Sequence, residues 1–301
     1  MDARLGSGPA LAEITHAART LWVRSRREAS GWLVGGFESA FRGGGVEFEE
    51  SRPYAPGDDV RSIDWNALAR TGVPWVKRFR EERSQLVLIA LDVSGSMGFG
   101  TTGRTKLEVA AHAAALLAAA AGHAGDPVGF AAFADGVRAS LAPGRGDAHT
   151  WRVVRAAATW SERAAGRTSL AAAAEWVGAH ARRRAIVVLL SDFRTSPFAA
   201  LAPLGLQHDF VSVVVEDPRE RALAAAGSVR LRDPEGARSW VLGTRRGRAR
   251  YAAAAEQHRR ALARSLRSQG ADLLWLSTDA NPLRALLRFF AARSVRPRAA
   301  R

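Results

Sequence analysis

Apolar residues in the middle of this chain fall in short blocks, each followed by a longer stretch of mixed character. Leu86 to Leu91 and Ala185 to Leu190 are continuous apolar runs of strand length, and Val128 to Phe133 and Phe210 to Val215 are nearly so, interrupted only by Gly129 and Ser212. Such runs suit strands covered on both faces, as in a parallel sheet flanked by helices. Lys106 to Gly122, Ala148 to Trp160 and Ser169 to His180 lie between them and read as helices. Gly136 to Leu141 reads as a further strand, of antiparallel type, after Val128 to Phe133. The alternation predicts an α/β fold with a central, mostly parallel sheet and helices on both faces.

The flanks are less regular. Leu11 to Leu33 reads as helical, Gly43-Gly44-Gly45 breaks the chain, and Val46 to Glu49 alternates like a half-exposed strand. Asp64 is placed to cap a short helix from Trp65 to Arg70, and Pro74 to Phe79 reads as another strand. On the far side, Val229 to Leu231 and Ser239 to Leu242 flank a Pro234-Glu235-Gly236 turn and predict a hairpin. Tyr251 to Ser268 reads as a long helix, Leu273 to Leu276 as a last strand and Pro282 to Ala292 as a last helix. The expected organisation is an N-terminal lobe over 1–85, an α/β domain over 86–293 with a hairpin insertion at about 217–245, and a basic tail over 294–301. No internal repeat is visible.

Composition narrows the chemistry. The chain contains no cysteine, which excludes thiolate metal sites, disulfides and cysteine nucleophiles. Its longest membrane-like run, Ala113 to Ala121, is too short to span a bilayer, and the first forty residues carry charges throughout. A cytoplasmic protein without a membrane span is expected. The formal charge is +15, and Lys77 and Lys106 are the only lysines among 44 basic residues. The arginines are spread through helices rather than set in one stripe with interleaved aromatics. An acidic protein partner fits this better than nucleic acid, although a charge-driven nucleic-acid binder is an alternative.

Two of the apolar strands end in aspartate, at Asp92 and Asp192. In parallel sheets, ligands sit beyond the carboxyl ends of strands. Asp92-Val93-Ser94-Gly95-Ser96 is a D-x-S-x-S loop, whose alternate positions put three oxygen-bearing side chains on one side of a tight turn. Carboxylate and hydroxyl oxygens are hard ligands that suit Mg²⁺ or Mn²⁺. Asp and Ser also end strands and cap helices routinely, so the loop alone is weak evidence.

The loop resembles the metal ion-dependent adhesion site of the von Willebrand factor A superfamily, in which a distant threonine and a distant aspartate complete the set. Thr168, in Gly166-Arg167-Thr168 before a helix, and Asp192, after a strand, match those positions. The resemblance implies a von Willebrand A-like fold. It also implies direct metal binding by Ser94 and Ser96, binding by Thr168 directly or through water, and binding by Asp92 and Asp192 largely through water. The remaining coordination position would take a Glu or Asp from a protein partner. The binding would be non-catalytic.

A second signature precedes the sheet. Arg52, Tyr54, Gly57, Asp58, Arg61, Asp64, Trp65 and Arg70, with Lys77 to Glu82, resemble the bacterial domain-of-unknown-function 58 family over about Val46 to Val215. That resemblance implies a MoxR-type AAA+ ATPase, or its client, as partner. The arginines and aspartates of the signature are expected to form an ion-pair network that packs the lobe on the sheet, with a docking surface as the alternative.

One rival reading is enzymatic. Gly98 to Lys106 nearly spells a phosphate-binding loop, with Arg104 where lysine belongs, and would make the chain a Mg-dependent nucleotide hydrolase. The glycines begin six residues after the strand-ending Asp92, too late for a loop that should leave the strand at once, so they are expected to form a flexible lip beside the metal. The seven histidines show no metal-ligand spacing. No His or Lys adjoins Ser94 or Ser96 in sequence, which argues against a serine nucleophile. Trp65, Trp75, Trp176, Trp240 and Trp275 are expected to pack in the core.

Overall fold

A computed structural model describes residues 48–55, 65–79, 84–195, 197–223, 229–232, 239–242 and 244–294, together with positions 35, 37 and 63. The expected helix from Leu11 to Leu33 and the basic tail lie outside the described residues.

The four apolar runs form β3 (Val87–Asp92), β4 (Val128–Phe133), β6 (Ile186–Ser191) and β7 (Asp209–Glu216). With β5 (Val137–Gly144) and β10 (Asp272–Ser277) they make one six-stranded sheet in the order β10-β7-β6-β3-β4-β5. Every neighbouring pair is parallel except β4 with β5. This is the α/β class expected from the alternation, and the strand expected to be antiparallel, β5, lies at one edge. β5 is half exposed while β3, β4 and β6 are buried throughout, as an edge strand and central strands should be.

Both faces of the sheet are covered. On β3, Val87, Ile89 and Leu91 face a core shared with α2 (Lys106–His123), α3 (Asp147–Trp160) and α8 (Pro282–Ser294). Leu88 and Ala90 face the other core, shared with α4 (Leu170–His180), α5 (Ala202–Gln207) and α7 (Arg245–Ser268). The period-two alternation of a strand thus divides one apolar run between two cores. α2 is buried on nearly all sides, which explains its alanine run: small side chains let it lie against the sheet with two helices beside it.

Outside the sheet, β1 (Phe48–Pro53) pairs antiparallel with β2 (Trp75–Phe79) around α1 (Trp65–Thr71). The predicted hairpin is present as β8 (Val229–Arg232) and β9 (Ser239–Leu242), following the one-turn α6 (Pro218–Arg221).

Two sequence expectations need correction. α7 begins six residues before Tyr251, because the Thr244 hydroxyl accepts the Gly247 N–H and caps a helix that opens with an arginine-rich turn. Trp65 is not core: it is 61% exposed, whereas Trp176 is buried and Trp275 is half-buried beneath the Arg259 guanidinium, 3.9 Å away.

Candidate metal centre

The centre is built at the carboxyl ends of β3 and β6. β3 closes with Asp92, whose Oδ1 accepts the Ser94 N–H at 2.9 Å and whose Oδ2 accepts the Ser191 hydroxyl at 2.5 Å. The first bond bends the chain so that Ser94 and Ser96 face the same way, with their Oγ atoms 3.2 Å apart. A third segment is stitched in by two backbone bonds, Gly95 N–H to the Gly166 carbonyl at 2.9 Å and Ala165 N–H to the Val93 carbonyl at 2.8 Å. Gly166 has φ of 85°, a left-handed turn that suits glycine. These contacts deliver Thr168, whose hydroxyl donates to Ser94 Oγ at 2.8 Å.

Asp192 approaches from β6. Its Oδ1 accepts the Arg194 N–H at 3.2 Å, and the nearby Ser96 hydroxyl helps to hold its carboxyl charged. Between them Phe193 is buried with φ of 52°, an uncommon conformation for a bulky residue that turns the chain sharply at this spot. All five residues singled out in the sequence are therefore brought together. Asp92, Ser94, Ser96 and Asp192 are buried, and Thr168 is partly so.

Four residues that the sequence reading did not assign to the centre complete the surroundings. Ser191 holds Asp92, as described. Lys106, the first residue of α2, reaches back with Nζ 2.6 Å from Asp192 Oδ2 and 2.7 Å from Glu220 Oε1. It is 1% exposed. Asp217, following β7, is buried and accepts the Thr101 N–H at 2.8 Å, the Thr101 hydroxyl at 2.6 Å, the Thr278 hydroxyl at 2.7 Å and the Arg219 N–H at 2.8 Å. The rarity of lysine in this chain was a usable signal for Lys106, since a compact ammonium suits a narrow slot between two carboxylates better than a planar guanidinium.

The two central carboxyls sit in opposite electrostatic settings. Burial, followed by the nearby Asp192 charge, pushes Asp92 up to about 7, against hydrogen bonds from Ser191 and Ser94. Asp192 is just as buried, but against that burial the Lys106 ammonium, Ser96 and the Arg194 amide together hold it below the usual carboxylate range.

The glycine-rich segment is pinned rather than loose. It carries a short 3-10 turn over Gly95–Gly98, then Thr101 is tied to Asp217, and Arg104 donates to the Thr278 and Ala280 carbonyls at 2.8 Å each. A side chain at Gly100 would collide with the Arg104 backbone, which accounts for that glycine. Thr105 closes the segment with a reciprocal cap to Glu108 and starts α2 at Lys106.

A cavity of about 230 Å³ opens beside Asp192 and Glu220, between α7 and the ends of β7 and β10, with Arg194, Tyr251, His258 and Trp275 on its walls. Of the N-terminal signature, Tyr54 is half-buried and Arg70 exposed, and Arg52 lies on β1. Gly57, Asp58, Arg61 and Asp64 lie outside the described residues, and with them the expected ion-pair network.

Among the described residues, no group of three or more His, Asp or Glu side chains is gathered as a metal cluster. The donor set is instead three hydroxyls and two carboxylates, all hard oxygen, and by chemistry it fits Mg²⁺ or Mn²⁺ and no softer ion. Among the described residues, no helix is long and apolar enough to cross a membrane.

Fold and centre together define an α/β protein with a hydroxyl–carboxylate cluster at the carboxyl edge of a mostly parallel sheet. The chain belongs to the family described as protein of unknown function DUF58, whose model matches residues 50–261. It is 35% identical to an uncharacterized protein of Mycobacterium tuberculosis over 288 residues, 93% of this chain and 90% of the relative, and equally to one from Mycobacterium bovis. Among solved structures it is similar to the conserved hypothetical protein BatB from Bacteroides thetaiotaomicron, at 16% identity and a TM-score of 0.44, covering 70% of this chain and 99% of that one. It is also similar to a von Willebrand factor type A protein from Catenulispora acidiphila, at 14% identity and a TM-score of 0.38, covering 74% and 43% of the two chains.

Proposed function

We propose that this protein is a non-catalytic, metal-dependent protein-binding module that works in the cytoplasm with a MoxR-type AAA+ ATPase or its client. The observation that carries the reading is the 2.8 Å contact between Thr168 and Ser94, which joins the hydroxyls of two distant segments at the point where Asp92 and Asp192 meet. Ser94 and Ser96 would hold a Mg²⁺ or Mn²⁺ ion directly, Thr168 directly or through water, and the two aspartates largely through water. When bound, the ion supplies one open coordination position for a carboxylate oxygen of the partner. The protein groups do the rest: they orient the hydroxyls, exclude bulk water and fix the aspartates.

The rival hydrolase reading lacks comparable support. In the glycine-rich loop the Thr101 N–H is taken by Asp217, and the Arg104 guanidinium is taken by two carbonyls of the β10–α8 connection. These are groups that a phosphate would need.

The test is Mn²⁺ titration calorimetry on the wild type and on Ser94→Ala/Ser96→Ala, paired with capture of a MoxR-type ATPase in Mg²⁺ and in EDTA. The wild type should bind the ion and lose its partner on chelation, and the double variant should do neither. Capture that is equal with EDTA and in the variant would sink the proposal.

A further inference from the structure

The centre already contains a cation of its own. Lys106 is the first residue of α2, where a positive charge is disfavoured by the helix dipole, and it is almost wholly removed from solvent. A lysine placed so badly for its own helix needs another reason to be there. Its ammonium touches Asp192 at 2.6 Å and Glu220 at 2.7 Å, so it takes one of the two carboxylates of the centre and links it to a second acid from α6. Arg194 also approaches Glu220, at 3.3 Å, from the exposed side. The Phe99 ring lies 6.0 Å from the ammonium and helps close the slot.

We propose that Lys106 is the resident cation of this centre. It supplies at Asp192 the positive charge that a divalent ion would otherwise bring, so a metal enters against its repulsion and Lys106 sets the metal affinity. This inference rests on the metal reading. In a buried site of low polarisability, a unit charge this close to a ligand carboxylate is felt strongly. Glu220 has a defined part: it gives Lys106 a second partner, so the ammonium can lean away from Asp192 without losing all compensation. The centre is then balanced without metal, and metal entry must disturb the Lys106–Asp192 contact.

The experiment uses the full chain and Mn²⁺ calorimetry on wild type, Lys106→Met and Lys106→Met/Glu220→Gln. The last removes one charge of each sign and guards against misfolding of the first. Both should bind Mn²⁺ more tightly than wild type, Lys106→Met by about tenfold or more. A second measurement needs no variant. Because the chain has only two lysines, Lys77 and Lys106, ¹⁵N-lysine labelling gives a readable Nζ signal for Lys106. Mg²⁺ should shift that signal and leave Lys77 in place. Unchanged or weaker Mn²⁺ binding in the folded variants, or a Lys106 signal indifferent to Mg²⁺, overturns the proposal while metal binding itself stands. Absence of Mn²⁺ binding in every form removes the metal reading and this inference together.

Discussion

The ends of β3 and β6 carry the same local signal, a buried apolar strand closing on aspartate, yet the fold gives the two acids opposite characters. Asp92 meets only neutral donors, Ser191 and the Ser94 amide, and its carboxyl rises to about 7. Asp192 meets the Lys106 ammonium and is held below the usual range. The lesson is that strand-end position selects which residues gather, while one side chain arriving from a helix terminus decides which of them is charged. Two like acids in one site are commonly separated in this manner, because a buried pair cannot both ionise freely.

The largest effect should come from breaking the charged end. Asp192→Ala leaves Lys106 buried with Glu220 as its remaining anionic contact, and removing one partner of a buried pair costs about 3–5 kcal/mol. Guanidinium denaturation at neutral pH should show that loss. If the variant matches wild type, the ion pair contributes nothing and the contrast between the two ends fails.

The neutral end should respond in the opposite direction. An acid whose folded value is raised takes up a proton on folding, so its contribution falls as pH climbs from about 4, where the unfolded carboxyl ionises, to about 7. Asp92→Asn, kept in EDTA, should therefore be more stable than wild type near pH 8, by up to about 4 kcal/mol, and lose that advantage near pH 4. The asparagine amide can still serve Ser94 and donate to Ser191. Thermal melts at the two pH values decide it, and a variant destabilised equally at both would show that Asp92 is held as a carboxylate after all.

How far this was legible in sequence depends on the kind of contact. The sheet, its antiparallel strand and the two strand-end aspartates were readable, because apolar runs and strand-end acids are local patterns with a fixed consequence for a parallel sheet, and the resemblance of the Asp92 loop added Ser94, Ser96 and Thr168. Lys106 and Glu220 were not. Lys106 reaches Asp192 across 86 positions of chain and Glu220 reaches Lys106 across 114, only after α2 and α6 are set against the sheet, and nothing in their own neighbourhoods points there. The start of α7 was missed because its cap, Thr244, is followed by arginines and a glycine that dilute the helical pattern. The glycine-rich segment was expected to be loose because glycine signals freedom, whereas tertiary hydrogen bonds from a third strand end hold it.

That third strand end, Asp217 after β7, gives the sharpest control on the comparison and the smallest effect. Its carboxyl is buried, yet hydrogen bonds from Thr101, Thr278 and the Arg219 amide outweigh the burial and hold it below the usual range. A depressed acid stabilises the fold above its unfolded value and loses that contribution as pH falls through its folded value. Asp217→Asn replaces one accepting oxygen with a donor, leaving the Thr101 or Thr278 contact unmade, at about 1–3 kcal/mol near neutral pH. The gap should narrow as pH falls below the ordinary carboxylate range, where wild type itself takes up the proton. The freed Thr101 segment should also be cut sooner by protease. Metal binding, in contrast, should be nearly unchanged, because Asp217 anchors the loop and does not line the hydroxyl cluster. If Asp217→Asn weakened Mn²⁺ binding as much as Ser94→Ala/Ser96→Ala is expected to, strand-end acids could not be divided into those that present a centre and those that only fasten the loops around it.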